Sequence, residues 1–581
     1  MNKKKLISVI SVLPVIFIVT ACTATPAATE LSAAVSSTPV TSAALDATVE
    51  DTADSLTLTP NISMSNDAGN PPVNDSVKTV SFKCNEPLDP TSVANAVTLY
   101  RMDSKGNPTE QKCVAKINPD SPNYIDINTE TVEKFAEGQE YKIVINNTLK
   151  STSGLTLRQE YTGYFATNHT LDLEGNNALT NTRMQIVVIS DIHLGVDDTF
   201  TETKANRPVL VNFLTQIRNS PNVAELVIAG DLLDGWFLPM NYVYPDSQDT
   251  FFEMVAANNQ TVMDAINAII TDGKIKVTYT PGNHDLLLTE KALQKILPGI
   301  NQTRADVQGL GEYTTGANSE IIIEHGHKYN YFCAPDQISN KDITNNDSTI
   351  LPPGYFFTRI ATSSVVEGFP KSNNVLSELT APDKNNTSQY SLYLYDLTWK
   401  GLLSSLPVNE SFTDKVIKTN IDGFTEDYAI NDLIPQQDPA TGEIDVNLYK
   451  GEQDSWDERQ TQNGVKVKIP VDEAITKAGN FDYTDFQSKL QYFDTDASKR
   501  IVVFGHTHGA CIIPGTNLEG KKTIYANSGT WIDNAVGYPT MTFVVITPQQ
   551  ADSAVGFVNL YKCSLDNTIT QWTEGQALTN S

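Results

Sequence analysis

Short apolar runs alternate with amphipathic segments over residues 183–548. The runs at 185–190, 225–229 and 274–280 are typical of buried strands, whereas 207–218 and 251–270 carry the periodicity of helices. Strands that alternate with helices predict a mostly parallel sheet covered by helices. In sheets of this kind, ligands bind beyond the carboxyl ends of the strands.

The preceding segment, residues 70–168, has a different pattern. Short β-rich runs are separated by turn clusters that are rich in glycine, asparagine and serine, which predicts a small all-β sandwich domain. We place its strands at 77–84, 97–101, 114–117, 141–145 and 161–166.

Residues 328–499 interrupt the alternating pattern. They contain no histidine, and they combine aromatic segments with loops that are rich in asparagine and aspartate. A structureless loop of this length is implausible in a compact domain, so we interpret 328–499 as an insertion domain or cap. Residues 549–581 are predicted to form a C-terminal strand and tail.

The first 21 residues have the pattern of a secretory signal, with three lysines before an apolar run and small residues before Cys22. The cysteine at the cleavage point resembles a bacterial lipobox. The alternative is a transmembrane anchor, but about 15 apolar residues fall short of the roughly 20 that span a bilayer. Residues 22–66 are rich in Ala, Ser, Thr and Pro and are predicted to be a disordered tether. We therefore expect a lipid-anchored protein on the extracytoplasmic face of a bacterial membrane.

The formal net charge of the chain is −28, which argues against nucleic acid as a partner. An exported chain could also oxidise its thiols. Cys84 and Cys113 could pair within the β domain, but free thiols are an equally good interpretation.

Six of the seven histidines lie in four short clusters, each beside aspartate, asparagine or glycine, and a further acidic cluster falls between the first two. Imidazole, carboxylate and amide oxygen together suit Zn, Mn or Fe, and the donors suffice for two ions. Each cluster directly follows a predicted strand, so we expect the clusters to converge. The clusters are Asp191-Ile-His193, Gly230-Asp231-Leu-Leu-Asp234, Asn283-His284-Asp285, His325-Gly-His327 and Gly505-His506-Thr-His508.

These five motifs, in this order, resemble the signature of calcineurin-like metallophosphoesterases. The segment 70–168 resembles bacterial Ig-like domains, through Cys84-Asn-Glu-Pro and the runs at 140–145 and 153–157. The resemblance implies a metallophosphoesterase α/β/β/α sandwich over 183–548 with a large insertion, preceded by an Ig-like sandwich.

The resemblance also implies roles for individual residues. Two divalent ions (Mn, Fe or Zn) would share Asp231, and His284 would act as general acid, oriented by Asp285. The alternative is that His284 binds the phosphate without transferring a proton. Asp234 is either a supporting residue behind the ligands or a helix cap. His327 supports His325, faces the substrate or is a solvated loop residue. The first ion would be held by Asp191, His193, Asp231 and His508, and the second by Asp231, Asn283, His325 and His506.

The resulting interpretation is a hydrolase of a phosphomonoester or phosphodiester, by attack of metal-bound hydroxide on a small-molecule or nucleotide-like substrate. One alternative is a surface binding or adhesion lipoprotein whose Ig-like domain carries the function. Another is a nucleotide-sugar hydrolase similar to UDP-diacylglucosamine pyrophosphohydrolases, although those enzymes carry arginine where this chain has His284.

Overall fold

The computed structural model describes residues 54–130, 134–173, 183–346, 348–535, 537–549, 553 and 555–579. The predicted signal peptide, Cys22 and most of the predicted tether lie outside these residues. The described chain divides into two compact units, one of residues 171–546 and 559–573, the other of 54–170, 547–558 and 574–579. No helix among the described residues is long and apolar enough to cross a membrane.

The first unit along the chain is a β-sandwich of two sheets, ordered β1-β3-β7-β6 and β2-β9-β8-β4-β5. Alternate side chains of its strands point into a core built around Phe82, Ile125 and Ile143, and the expected all-β class is confirmed. Its elements are β1 (Leu58–Pro60), β2 (Val73–Asn74), β3 (Val80–Cys84), α1 (Pro90–Val93), β4 (Val97–Met102), β5 (Pro108–Gln111), β6 (Cys113–Asn118), β7 (Ser121–Thr129), β8 (Gln139–Ile145) and β9 (Tyr161–Thr167).

One boundary of this unit corrects the sequence prediction. The tether was expected to run to residue 66, but β1 pairs with β3 and the side chain of Leu56 is buried in the core. Residues 54–66 therefore belong to the sandwich, because they supply apolar side chains that the polar composition of the segment conceals. Cys84 and Cys113 are both free thiols.

The second unit contains a large mixed sheet and a smaller one. In the large sheet, ordered β13-β12-β11-β10-β21-β22-β23, the four strands from β10 to β13 are parallel and β21 is antiparallel to β10. Its elements are β10 (Gln185–Ile189), α2 (Arg207–Asn219), β11 (Val223–Ala229), α3 (Gln248–Asn258), α4 (Gln260–Asp272), β12 (Lys276–Thr280), α5 (Glu290–Ile296) and β13 (Asn301–Gln302), with β21 (Thr542–Thr547), β22 (Val555–Cys563) and β23 (Ile569–Gln571).

The smaller sheet is ordered β14-β15-β18-β20-β19, and its three central strands are parallel. Strands of both sheets contribute side chains to one hydrophobic core, so the α/β class with two sheets is confirmed. The strands are β14 (Tyr313–Thr315), β15 (Ile321–Ile323), β18 (Ile501–Phe504), β19 (Cys511–Thr516) and β20 (Lys522–Asn527).

The predicted insertion is mainly helical. Its helices share the core of the second unit, through Tyr355, Trp399 and Trp456 among others, so the insertion has no separate core. Its elements are α6 (Lys341–Thr344), α7 (Pro353–Val366), α8 (Thr387–Ser405), β16 (Gln436–Gln437), β17 (Ile444–Asp445), α9 (Glu452–Gln462), α10 (Val471–Lys477) and α11 (Phe481–Ser488).

Residues 549–581, predicted as a strand and a tail, contain three strands. The third, β24 (Gln576–Thr579), pairs with the first half of β22. Val555, Phe557 and Ala577 from these two strands pack against Val73 and Ala166 of the sandwich unit. This apolar contact, made between segments about 390 to 500 residues apart in the chain, explains why the last strand belongs to the first unit.

Candidate metal centre and active site

The predicted clusters follow neighbouring parallel strands. Asp191 and Asp231 come two residues after β10 and β11, and Asn283 follows β12 by three. In the smaller sheet, His325 and His506 each come two residues after β15 and β18. Because the carboxyl ends of parallel neighbours lie at the same edge, each sheet brings its own clusters together.

Five of the predicted ligands have a left-handed backbone. This conformation is unfavourable for residues with a side chain, and it is kept where the surrounding structure requires it, as at functional sites. It turns each side chain sharply out of the strand direction, toward the other clusters. The φ angles are 52° at Asp191, 50° at His193, 54° at Asp231, 66° at His506 and 60° at His508.

Two glycines permit this close packing. A Cβ atom on Gly230 would lie 2.5 Å from Nδ1 of His325, and one on Gly505 would lie 2.5 Å from Oδ2 of Asp191. Gly230 also has a φ of 87°. Glycine is therefore required beside these ligands, which is the physical reason for the Gly-Asp and Gly-His pairs in the sequence.

One group of donors surrounds Asp191. Its Oδ1 lies 3.2 Å from Nε2 of His508, and that nitrogen lies 3.2 Å from Nε2 of His193. Oδ2 of Asp231 is 3.7 Å from Nε2 of His193. These are the four side chains predicted for the first ion.

A second group surrounds Asn283. Its Oδ1 lies 3.1 Å from Nε2 of His325 and 2.9 Å from Nδ1 of His506. Oδ2 of Asp231 is 3.1 Å from the same His325 nitrogen, so this carboxylate faces both groups. These are the four side chains predicted for the second ion.

Outer hydrogen bonds orient two of the imidazoles. Nδ1 of His325 lies 2.8 Å from the carbonyl oxygen of Ala229, and Nδ1 of His193 lies 2.9 Å from Oδ2 of Asp234. A ring that donates its Nδ1–H to such an acceptor presents the lone pair of Nε2, which is the arrangement of metal-binding histidines. The converging imidazole nitrogens and anionic oxygens thus fit divalent metal ions.

The electrostatics of these side chains agree with this fit. Burial opposes protonation of His193, but the hydrogen bond to Asp234 and the nearby Asp231 raise its pKa to about 10. Burial likewise opposes ionisation of Asp231, yet His325 and His284 bring its pKa well below the usual range. The site therefore holds carboxylates whose charge requires cations, supplied by protons or by metal.

Asp234 has a definite role in the structure. Its Oδ2 lies 2.9 Å from Nδ1 of His284 as well as from Nδ1 of His193, and its Oδ1 accepts the backbone N–H groups of Trp236 and Phe237. This geometry matches the first predicted alternative, in which Asp234 is a supporting residue behind the ligands.

His284 stands at the rim of the donor cluster. Its backbone N–H donates to Oδ1 of Asp231 over 2.8 Å, and its ring packs on Trp236 with 4.8 Å between the ring centres. Burial opposes its protonation, but Asp234 and Asp231 outweigh burial and raise its pKa. Because Nδ1 faces Asp234, Nε2 is the nitrogen available to a ligand, as a general acid requires.

The predicted role of Asp285 is corrected. Its carboxylate accepts the backbone N–H groups of Gly282 and Leu232, over 2.6 and 2.8 Å, and it is fully buried. These two hydrogen bonds hold the carboxylate against the backbone of the neighbouring loops and leave Asp234 to orient His284. Asp285 therefore fixes the loop and does not touch the imidazole.

His327 is buried, and its Nε2 lies 3.1 Å from the carbonyl oxygen of Gly309. Its ring centre is 5.3 Å from that of His325. Burial is the largest factor that keeps its pKa well below the usual range, so it packs as a neutral ring. The alternative of a solvated loop histidine is wrong.

Sequence reasoning missed two residues near the cluster, Glu202 and Asp485. Oε2 of Glu202 is buried 3.6 Å from Nδ1 of His193. Asp485, in α11 of the insertion, accepts the hydroxyl of Thr507 over 3.0 Å and that of Tyr525 over 2.6 Å. Neither lies in a recognisable motif, because each reaches the site only through tertiary packing.

The comparison with protein families supports a metal-dependent phosphoesterase. Residues 184–356 match the family of calcineurin-like phosphoesterases, and residues 60–167 match the bacterial Ig-like domain family. The chain carries a calcineurin-like phosphoesterase domain. Members of this family are metal-dependent hydrolases of phosphoester bonds, so the chain is an enzyme of that kind. His506 and His508 follow the matched segment and complete the donor cluster.

No curated protein shows significant similarity to this chain. Among solved structures, domains 1–6 of the surface layer protein SbsC are 14% identical, with a TM-score of 0.15, over 20% of this chain and 14% of that one. CopC from Methylosinus trichosporium OB3b is 17% identical, with a TM-score of 0.14, over 20% of this chain and 100% of that one. The chain spans at most 24% of the surface-layer structures it matches.

Proposed function

We propose that this phosphoesterase holds two divalent ions and hydrolyses a phosphomonoester or phosphodiester of a small molecule. The observation that carries the proposal is the double donor group, in which Asp231 faces both sets of ligands. When bound, the ions supply a nucleophile derived from water and neutralise charge on the phosphoryl group. Mn, Fe and Zn all suit the mixture of imidazole, carboxylate and amide oxygen.

The chain's own residues supply the remaining chemistry. Asp231 and Asp191 provide two negative charges, whereas Asn283 adds an oxygen without charge, so two divalent ions would leave the site positive and attractive to phosphate. His284, charged through Asp234, would donate the proton that the leaving oxygen requires. This division of roles needs no covalent nucleophile from the protein.

The enzyme is proposed to be a lipoprotein on the extracytoplasmic face of a bacterial membrane, held by Cys22. The support is the sequence pattern of residues 1–22 and the Ig-like domain that precedes the catalytic domain. On this proposal, the substrate is one that occurs outside the cytoplasm.

The activity is tested by supplying purified protein with Mn²⁺, Fe²⁺ or Zn²⁺ and measuring the hydrolysis of chromogenic phosphate mono- and diesters. We expect turnover that a chelator abolishes and that added metal restores. The absence of turnover with every metal, in protein that binds metal and is folded, would contradict the proposal.

A further inference from the structure

A cavity opens directly on the donor cluster and on His284. Within the second unit, half of the residues around it come from the insertion, and the rest come from the metal-site loops. Four aromatic residues are among those that line its wall, namely Trp236, Phe332, Phe357 and Phe481. The insertion therefore forms the part of the site where the leaving group of an ester would lie.

The charge of this wall is unusual for a site that receives an anion. Among the described residues around the cavity there is no lysine or arginine, and the carboxylates present are those of Glu202 and Asp231. Glu202 is buried, and one of its oxygens has no hydrogen-bond partner. A phosphoryl group would be neutralised by ions held at the metal ligands and by His284, but a second anionic group further out would meet aromatic and uncharged polar side chains, with no lysine or arginine among the described residues there.

The wall is also closely packed. The side chains of Trp236, Phe332 and Phe357 are 2%, 1% and 4% exposed, so the rings form a firm surface beside the metal site. Phe481 is partly exposed at the start of α11, and its ring centre lies 6.0 Å from that of Tyr538. An apolar group placed against such a surface gains the free energy of burial, whereas a charged group loses hydration without a partner.

We propose that the substrate is a phosphate ester of an uncharged, apolar or aromatic alcohol with a single phosphoryl group, and that the aromatic wall of the insertion selects it. The proposal rests on the proposed phosphoesterase function. It disfavours diphosphates and nucleoside polyphosphates, because nothing on the wall would neutralise the outer phosphate.

The test compares substrates in pairs, and within each pair of monoesters the leaving groups have similar basicity. With metal-loaded protein, kcat/KM is measured for phenyl phosphate against 4-carboxyphenyl phosphate, and for 2-phenylethyl phosphate against glycerol 3-phosphate. Phenyl phosphate is also compared with phenyl diphosphate, with phosphate release as the readout. We expect the apolar monoester to be preferred about tenfold or more in each pair, the size of effect that burial of one ring produces.

Substitutions in α11 test whether the aromatic residues of the cavity cause the preference for apolar substrates. Phe481→Ala should lower kcat/KM for phenyl phosphate but not for methyl phosphate, and Phe481→Lys should raise the relative kcat/KM for 4-carboxyphenyl phosphate. Phe486→Ala is the matched control, since Phe486 lies on the same helix, is 49% exposed and does not face the cavity. Metal content confirms that each variant is folded.

The outcomes distinguish a wrong substrate class from a wrong phosphoesterase function. Equal or better hydrolysis of the carboxylated ester or of the diphosphate would overturn the substrate class and leave the phosphoesterase function standing. An apolar preference that Phe481 variants do not change would overturn the role of the wall. No hydrolysis of any ester would defeat the proposed function and this inference with it.

Discussion

Asp234 and His284 are joined by a hydrogen bond, with 2.9 Å between Oδ2 and Nδ1. The same carboxylate oxygen lies 2.9 Å from Nδ1 of His193, a predicted metal ligand. One buried carboxylate thus orients both the proposed general acid and a side chain of the metal centre. A single residue therefore fixes the position of the proposed proton donor relative to the metal site.

The proposed role of His284 predicts an effect that depends on the leaving group. An alkoxide cannot depart unprotonated, whereas a nitrophenolate can. His284→Ala should slow the hydrolysis of alkyl phosphate esters by roughly 10²–10⁴ and slow nitrophenyl esters much less, with metal content unchanged. Equal slowing of both classes would mean that His284 only binds the phosphate.

Asp234 and Asp285 provide a matched pair for the same prediction. Asp234 raises the pKa of His284, so in Asp234→Asn the imidazole should lose its proton at lower pH, and the alkaline limb of the kcat profile for alkyl esters should move down in pH. Asp285→Asn leaves a backbone N–H unsatisfied and should cost about 1–3 kcal/mol of stability without moving that limb. A shift in the Asp285 variant alone would restore the original assignment.

The contacts of Asp485 predict that the insertion stabilises the metal site in addition to lining the substrate cavity. Its carboxyl binds Thr507, which stands between His506 and His508, and burial raises its pKa to about 7. Asp485→Ala should weaken metal affinity about 10- to 100-fold, the usual effect of losing an outer partner. Metal titration measures this, with Asp482→Ala on the exposed side of the same helix as control. Unchanged affinity would leave the insertion concerned with substrate alone.

The sequence predicted the convergence of the site because the motifs follow buried apolar strands, and the carboxyl ends of parallel strands share an edge. Asp191, Asp231 and Asn283 were therefore placed correctly relative to one another. The residue that orients His284 was not predicted correctly, because the direction of the adjacent Asp285 side chain depends on local backbone turns. Spacing alone did not reveal that Asp234 would reach the ring.

Contacts between residues that are far apart in the chain could not be predicted from the sequence. Asp485 meets Thr507 only after the helical insertion has packed, and its surrounding segment has no motif. The same holds for β24, whose partners are defined by apolar contacts with Val73 and Ala166. Local periodicity thus predicted elements and their class, whereas pairing across long separations required the folded chain.

The Ig-like unit contains a buried carboxyl whose titration affects stability. Glu140 is 2% exposed on β8, and burial, with Asp67 nearby, raises its pKa from 4.5 to about 7. The folded state therefore favours the protonated form, and this contribution is present below about pH 4.5 and lost as the pH rises through 7. Glu140→Gln should remove that loss, worth up to about 3 kcal/mol.

The measurement is the free energy of unfolding of both proteins between pH 5 and 8, with Glu110→Gln as an exposed control. The advantage of the Glu140 variant should grow with pH. A constant difference over this range would show that Glu140 ionises normally in the folded protein.

The proposed lipidation of Cys22 predicts that the enzyme is attached to a membrane. Cys22→Ala should abolish lipidation and release the protein from membranes, because a single cysteine carries the acyl chains of a lipoprotein, while metal-dependent activity persists. Membrane fractionation and mass spectrometry of the mature amino terminus measure this. Continued partition of the variant with membranes would show that the first 21 residues act as a membrane anchor.

The central claim is that two metal ions share Asp231, and metal analysis of purified protein tests it most directly. We expect about two transition-metal ions per chain, and loss of both ions in Asp231→Ala, because its carboxylate faces both donor groups. Asp246→Ala, which removes an exposed carboxylate, should retain both. Full metal content and full activity in Asp231→Ala would contradict the account.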